Sequence, residues 1–403
     1  MKINTQTDLN RYERGKHLKK YSLIFFLTMF LIGTDTFLIS PLLPTLSQLY
    51  GISTAVSGWM VSAYAIGYAV FALFAGPISD GQDRKKVMIW GLLAFSLSTL
   101  LCGFAFNFQL MLLFRLLAGI SASFVGPQVW ASIPVVVERK DVVKVMGYAT
   151  AGLSVSQLVG IPIGSYLAAV SWHAPFFVIS LLSFTLLALI VFVLPQLEVV
   201  QRKRFSFFKI YAKVLNNKRA LERLFAYFVF QTGSFTVMTF ISTWFTKSFG
   251  LTLAGVGTAM IAIGGGNLAG SLFGSRIVYW LGLERSFLYE LVALIVLYLI
   301  LPFVHIFWLA EVLLTVTFLV NGFIFPLFMT TLQSTATDAR STISSLSNAA
   351  MYFGETIAGI VGGILFNQFY GFSAISLFAF VMISISIMLY SGSGIFKRQR
   401  QFN

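Results

Sequence analysis

Charge is what this chain has least of. Asp, Glu, Lys and Arg make up 10% of its 403 residues, against roughly 25% in soluble domains. Acids are the rarer sign, 14 against 28 lysines and arginines. There is one cysteine, Cys102, inside an apolar run, which excludes an intrachain disulfide and a cysteine-held metal cluster. The three histidines, His17, His173 and His305, fall outside the apolar runs and read as solvated surface groups. No paired His/Asp/Glu ligand set, no serine–histidine constellation and no glycine-rich phosphate loop after a strand is present. The expectation is a protein that is not an enzyme and needs neither cofactor nor metal.

What the chain has in excess is apolar residues, 57% of the total. They fall in runs of about 20 residues, the length that crosses the hydrocarbon core of a bilayer. Twelve spans are expected near 21–47, 56–79, 87–106, 109–135, 143–168, 174–195, 224–247, 251–275, 286–304, 307–331, 342–367 and 372–395. The first 20 residues are polar and basic, without a small-residue cleavage site after a short apolar core. The first run therefore reads as a retained span, not a signal peptide.

Lysine and arginine recur between every second pair of spans. They cluster before residue 21, at Arg84–Lys86, at Arg139–Lys144, between Arg202 and Arg223, at Arg276 and Arg285, at Arg340, and from Lys397 onward. Only Arg115 and Lys247 fall outside these clusters. Cytoplasmic loops carry the excess Lys and Arg, so both termini are expected in the cytoplasm of a multi-pass cell-membrane protein. A net charge of +14 would suggest nucleic acid in a soluble chain. Here the basic residues flank apolar spans and face anionic lipid, so the bilayer is the expected partner and nucleic acid is not.

The longest polar connection sets the expected organisation: a tail over 1–20, a six-span half over 21–195, a basic linker over 196–223, a second half over 224–395, and a tail over 396–403. The halves repeat at an offset near 200. Gly33-Thr-Asp-Thr-Phe37 aligns with Gly233-Ser-Phe-Thr-Val237, Gly76 with Gly274, Glu138-Arg139 with Asp338-Ala-Arg340, and Gly160-Ile-Pro-Ile-Gly164 with Gly359-Ile-Val-Gly-Gly363. Parallel six-helix halves are a transporter architecture with the substrate between them near the midplane.

Several local motifs carry a family resemblance. Gly76-Pro-Ile-Ser-Asp80-Gly-Gln-Asp83-Arg84-Lys85-Lys86, between spans two and three, resembles the loop signature of the major facilitator superfamily. Gly81 replaces its usual basic residue and Asp83 its usual glycine. Arg115-Leu-Leu-Ala-Gly119 resembles the family's membrane-embedded arginine motif, with Ala118 for glutamine. Gly152 and Gly160-Ile-Pro162-Ile-Gly164 resemble the antiporter signature of drug:proton exporters, in a form associated with sugar-efflux and drug-efflux-like members. Trp172-His173 resembles the tryptophan–arginine segment that follows it. The resemblance covers essentially the whole chain. It implies an all-α membrane fold of twelve spans in two pseudo-symmetric halves. It also implies that Asp80, with Gly76, Arg84, Glu138 and Arg139, latches the halves together at the cytoplasmic side against the start of span eleven, near Thr342. A carboxylate there meets the positive end of a helix dipole.

An ionisable group at the bilayer centre costs roughly 2.5–3.5 kcal/mol on insertion scales and marks a functional site by default. Asp35, Arg115 and Glu355 are such groups. Low dielectric penalises a bare carboxylate, which suits an acid that loads and releases protons as its surroundings change. Asp35 and Glu355 are the expected carriers of protons, cations or both, and the family resemblance, which puts spans one and four close together, implies that Asp35 pairs with Arg115. Glu290 and Glu311 lie near span ends and are expected to be solvated. Tyr64, Gln128, Gln157, Gln231, Asn321, Asn348 and Tyr352 are the candidate cavity residues. Asn348, Tyr352 and Glu355, spaced four and three apart, share one helix face. Trp244 is expected in an interfacial aromatic belt. The pocket so implied suits a neutral or cationic amphiphile. A monomeric transporter exporting such a small molecule in exchange for protons is the leading expectation. An exporter of a sugar or other metabolite, and a non-transporting membrane sensor or partner-binding protein, are the alternatives.

Overall fold

The computed structural model describes residues 5–79, 82–196, 211–212, 214, 216–335 and 340–396. They form twelve helices long and apolar enough to cross a membrane. In chain order these are α1 (Leu18–Tyr50), α2 (Thr54–Ala75), α3 (Arg84–Cys102), α4 (Phe108–Val136), α5 (Lys144–Val170), α6 (Ala174–Val193), α7 (Lys218–Phe249), α8 (Leu253–Gly274), α9 (Leu283–Phe303), α10 (Phe307–Gln333), α11 (Thr342–Gln368) and α12 (Phe372–Gly392). All twelve expected spans are present. Two helices start well before the expected bounds: the one containing α1 runs from Thr5, and α7 opens inside the basic linker.

The helix ends are satisfied locally, as lipid demands of exposed backbone. Asn107 caps α4 by accepting from the Leu110 N–H at 2.8 Å, and Asp83 caps α3 by accepting from Lys85 N–H at 2.9 Å. Side-chain oxygens at such positions take up N–H groups that lack an intrahelical partner. The end of α7 is closed by Gly250, whose φ of +67° lets Leu251 N–H reach back to Phe245 carbonyl. That is the left-handed cap glycine permits.

Glycine contacts reveal the internal duplication. Gly119 of α4 sits directly on the Tyr64 carbonyl of α2, and Gly322 of α10 sits on the Asn267 carbonyl of α8. Gly67 against Leu116 recurs as Gly270 against Leu319. Gly152 of α5 against Phe26 and Phe30 of α1 recurs as Gly354 of α11 against Phe228 and Thr232 of α7. In each case glycine and partner shift by the same offset. Small residues that let backbones touch are the main packing device between helices in lipid.

This packing predicts a stability effect. Gly119→Ala and Gly322→Ala each push a methyl group into a neighbouring backbone and should cost about 1–3 kcal/mol, the usual penalty of overpacking. Gly147→Ala, with nothing within 4 Å of the added carbon, should be neutral. Thermal melting in detergent separates them; equal melting of all three would refute the close-contact reading.

Candidate functional site

The site begins with a buried ion pair. Asp35 on α1 and Arg115 on α4 are both fully buried, with Arg115 Nη1 2.9 Å from Asp35 Oδ2. Nη1 also donates to the Asp35 carbonyl at 3.3 Å, and Nε to the Met60 carbonyl of α2 at 3.5 Å. Thr99 of α3 donates to Asp35 Oδ1 at 3.4 Å. The guanidinium lies 4.4 Å from the centroid of the Tyr64 ring, within cation–π range. One arginine thus ties α1, α2 and α4 together, and the pair cancels its own charge.

A tyrosine cluster carries this network to the second half. Thr36 Oγ1 lies 3.0 Å from the Tyr64 hydroxyl. Tyr68 of α2 stacks on Tyr352 of α11 at 3.8 Å between centroids and 24° between planes, and Tyr64 is 6.5 Å from each. Glu355 follows Tyr352 by less than one turn and is 2% exposed. Its Oε2 has no hydrogen-bond partner among the described residues. Arg115 is the cation within electrostatic reach of it. Since Asp35 already holds Arg115, Glu355 is the uncompensated acid of the site. Asn348, two turns before Glu355, is half-buried.

Beyond the cluster the halves are closed at one end. We call it the far end: it holds the connections at residues 51–53, 103–107, 171–173, 250–252, 304–306 and 369–371, opposite the end where the termini lie. Gly58 and Gly359 meet backbone to backbone, as do Ala55 and Gly363. Ser62 Oγ donates to the Thr356 carbonyl at 2.7 Å, Ser40 Oγ to the Met238 carbonyl at 2.8 Å, and Lys247 Nζ to Thr54 Oγ1 at 2.7 Å. Each of these bonds joins one half to the other.

The antiporter-like residues form a hinge-like segment of α5. Pro162 has no N–H to give, and the turn Ser156–Gly160 just before it widens into a π-helix, with Ile161 N–H bonded to the Ser156 carbonyl five residues back. Such bulges inside α-helices recur at functional sites. Gly152, Gly160 and Gly164 face Met29, Thr34 and Leu38 of α1. On the other side Gly264 of α8 packs on Gln157 and Leu158, and Gly257 on Ser165. The bulge is therefore wedged between α1 of its own half and α8 of the other.

The sequence model of the Major Facilitator Superfamily matches residues 25–359. The chain belongs to that superfamily. It is 47% identical over 368 residues to the uncharacterized MFS-type transporter YceJ of Bacillus subtilis (strain 168), covering 91% of this chain and 94% of that one. It is 28% identical over 366 residues to multidrug resistance protein 1 of the same strain, covering 87% and 90%. Its fold is similar to a solved D-xylose-proton symporter, with a TM-score of 0.76 at 14% identity over 93% of this chain and 97% of that one. The protein is thus a facilitator-superfamily transporter, not an enzyme.

Other expected residues fall around this transporter's core in different places. Asp80 lies outside the described residues, as does Asp338. Gly76 lies just past the apolar span of α2, within a helix that continues to Ser79. Arg84 donates to the Ala131 carbonyl of α4. Asp83, which departs from the family's glycine, earns its place as the α3 cap. Glu138 pairs with Lys140 at 2.9 Å, both exposed, and Arg139 is exposed. Gln128 is buried and donates to Ser79 Oγ at 2.9 Å, between α4 and α2 near the terminal end. Gln231 donates to the Tyr227 hydroxyl at 2.7 Å within α7. Asn321 lies beside the Tyr298 hydroxyl, and Gln157 sits half-buried in the π-turn.

Three expectations are corrected. Glu290 is not solvated: it is 7% exposed and neither carboxylate oxygen has a partner among the described residues. It sits about two turns into α9 on the face with Phe287, Leu291 and Leu294, so helix phase, not distance from the span end, decides its burial. Trp244 is not exposed to the surroundings as a belt residue would be: it is buried, stacked on Phe372 at 3.9 Å. His173 is half-buried, its Nδ1 2.5 Å from the Gly103 carbonyl. Sequence reasoning also missed Thr36, Thr99, Ser40 and Ser62. Hydroxyl residues are common in these spans, and most of them bond their own helix four residues back, so nothing in the sequence distinguishes the few that bridge.

Proposed function

We propose that this transporter exports a small amphiphilic molecule, neutral or cationic, in exchange for protons by alternating access. The observation that carries the reading is Glu355: a buried acid whose Oε2 has no hydrogen-bond partner among the described residues, beside an Asp35–Arg115 pair that neutralises itself, on the interface of the two halves. A proton or a cation at Glu355 satisfies it, and an approaching cationic ligand competes with that proton. The tyrosines supply aromatic walls for an apolar ligand body. The likeness to multidrug resistance protein 1, at 28% identity, supports export of drugs.

In this reading the termini are cytoplasmic, the far end faces outside, and the closed far end belongs to the inward-facing arm of the cycle. Opening outward requires parting Gly58 from Gly359 and Tyr68 from Tyr352. The cytoplasmic latch at Asp80 and Arg84 then holds the opposite end, and the monomer is the working unit. Asp80→Asn should slow export without removing the protein from the membrane; wild-type rates would reduce that loop to a topology signal.

Two measurements test the proposal. Single cysteines near residues 50, 107, 171, 250, 305 and 370, in a Cys102→Ser background, should label from outside, and those near 140, 280 and 400 from inside. Reversed labelling would overturn the orientation. Cells overproducing the protein should expel lipophilic cationic dyes, with expulsion abolished by a protonophore. Expulsion of sugars in place of dyes would favour the metabolite-exporter alternative.

A further inference from the structure

A pocket of about 380 Å³ opens at the far end of the second half, away from the Asp35–Glu355 site. It is lined by Trp244 and Lys247 at the end of α7, His305 in the α9–α10 connection, and Phe366, Phe372 and Ser373 where α11 passes to α12. No carboxylate lines it. Three features there favour an anion. Lys247 is the only lysine or arginine among the described residues of the far-end connections and helix ends. His305, exposed at the same rim, carries ring nitrogens able to donate to an anion. The 21-residue helix α12 points its N-terminus at the pocket behind Gly371, which has no side chain to cap the first N–H groups. A helix N-terminus attracts phosphate through those N–H groups and its dipole.

Depth and walls narrow the ligand further. Phe303, Trp308, Phe369 and Tyr370 stand exposed around the same end, the arrangement that marks the headgroup level of a bilayer. The stacked Trp244–Phe372 pair forms a flat apolar wall, and Lys247 Nζ lies 5.5 Å from the Phe366 ring. We propose that this pocket binds the phosphate of an anionic phospholipid from the leaflet at the far end, with Lys247 as counter-ion and His305 as second donor. Free phosphate shares the recognised chemistry, but the aromatic wall and the headgroup depth favour the lipid. Because Lys247 also holds Thr54 of the other half, the lipid site adjoins the closure of the far end.

The test reads the pocket locally, since the basic terminal end also attracts anionic lipid. Full-length protein carrying Cys102→Ser and Tyr370→Cys, labelled at the rim with an environment-sensitive dye, is placed in phosphatidylcholine nanodiscs with increasing phosphatidylglycerol. A saturable spectral shift is expected. Lys247→Ala should raise the half-saturating phosphatidylglycerol fraction about fivefold, the worth of one basic residue at a charged membrane surface. Lys247→Arg should keep wild-type saturation, and His305→Gln should weaken it in the same direction as alanine at 247. No phosphatidylglycerol-dependent shift, an unchanged midpoint in Lys247→Ala that elutes as a folded monomer, or the same shift from inorganic phosphate alone would each overturn the proposal.

Discussion

Arg115→Ala should be the most damaging single substitution in the chain. It leaves Asp35 fully buried with Thr99 as its remaining side-chain donor, at 3.4 Å. Breaking a buried pair from one side costs about 3–5 kcal/mol, because the remaining charge is stranded. That is a large part of the 5–15 kcal/mol that holds a typical domain together. The variant should accumulate poorly and melt far below the wild type. Adding Asp35→Asn should recover much of the loss, since both charges are then gone. Arg115→Lys should recover less, because one ammonium cannot span Asp35 Oδ2, the Asp35 carbonyl and the Tyr64 face at once. Melting of the four proteins in detergent settles the point. Wild-type stability of Arg115→Ala would mean that the pair contributes little and that Asp35 is satisfied by other groups.

Glu355→Gln should have the largest effect on transport. The amide keeps the size and hydrogen-bonding capacity of the acid and cannot carry a proton. Burial on the α11 face is unchanged, so the protein should fold and its halves should still exchange. If Glu355 carries the proton, uphill export driven by a pH gradient should fall to the level of liposomes without protein, while downhill exchange persists. If Glu355 serves only to bind a positive charge, cationic substrates should be lost and neutral ones retained. The two outcomes differ in one experiment with one substrate of each kind.

The fold was legible because lipid imposes a severe rule on sequence. Twelve apolar runs and the rhythm of Lys and Arg mark the spans. The duplication was legible but its register was not: in the structure Gly152 answers to Gly354 and Gly119 to Gly322, so the expected matches of Gly160 with Gly359 and Gly76 with Gly274 are out of step. Asp35, Arg115 and Glu355 stand out for the same reason: charge in an apolar span is rare enough to be noticed. Their geometry was only partly legible. The Asp35–Arg115 contact follows from the family's arrangement of spans one and four, and the Tyr352–Glu355 stripe from helical spacing. The stack of Tyr68 on Tyr352 depends on how the halves close, which no local pattern encodes. Glu290 shows the opposite failure. Its distance from the span end suggested solvent, whereas its helix phase turns it into the second half. Lys247 was visible as a departure from the charge pattern, but its bond to Thr54 required the fold.

The central claim is that protons drive export through Glu355 at the interface of the halves, and reconstituted protein under an imposed pH gradient addresses it most directly. Wild type, Glu290→Gln and Glu355→Gln are compared with one neutral and one cationic dye. Wild type and Glu290→Gln should concentrate both dyes against their gradients, because Glu290 lies off the interface. Glu355→Gln, which leaves the Asp35–Arg115 pair intact, should concentrate neither, while still equilibrating dye downhill. Full gradient-driven accumulation of both dyes by Glu355→Gln would contradict the account.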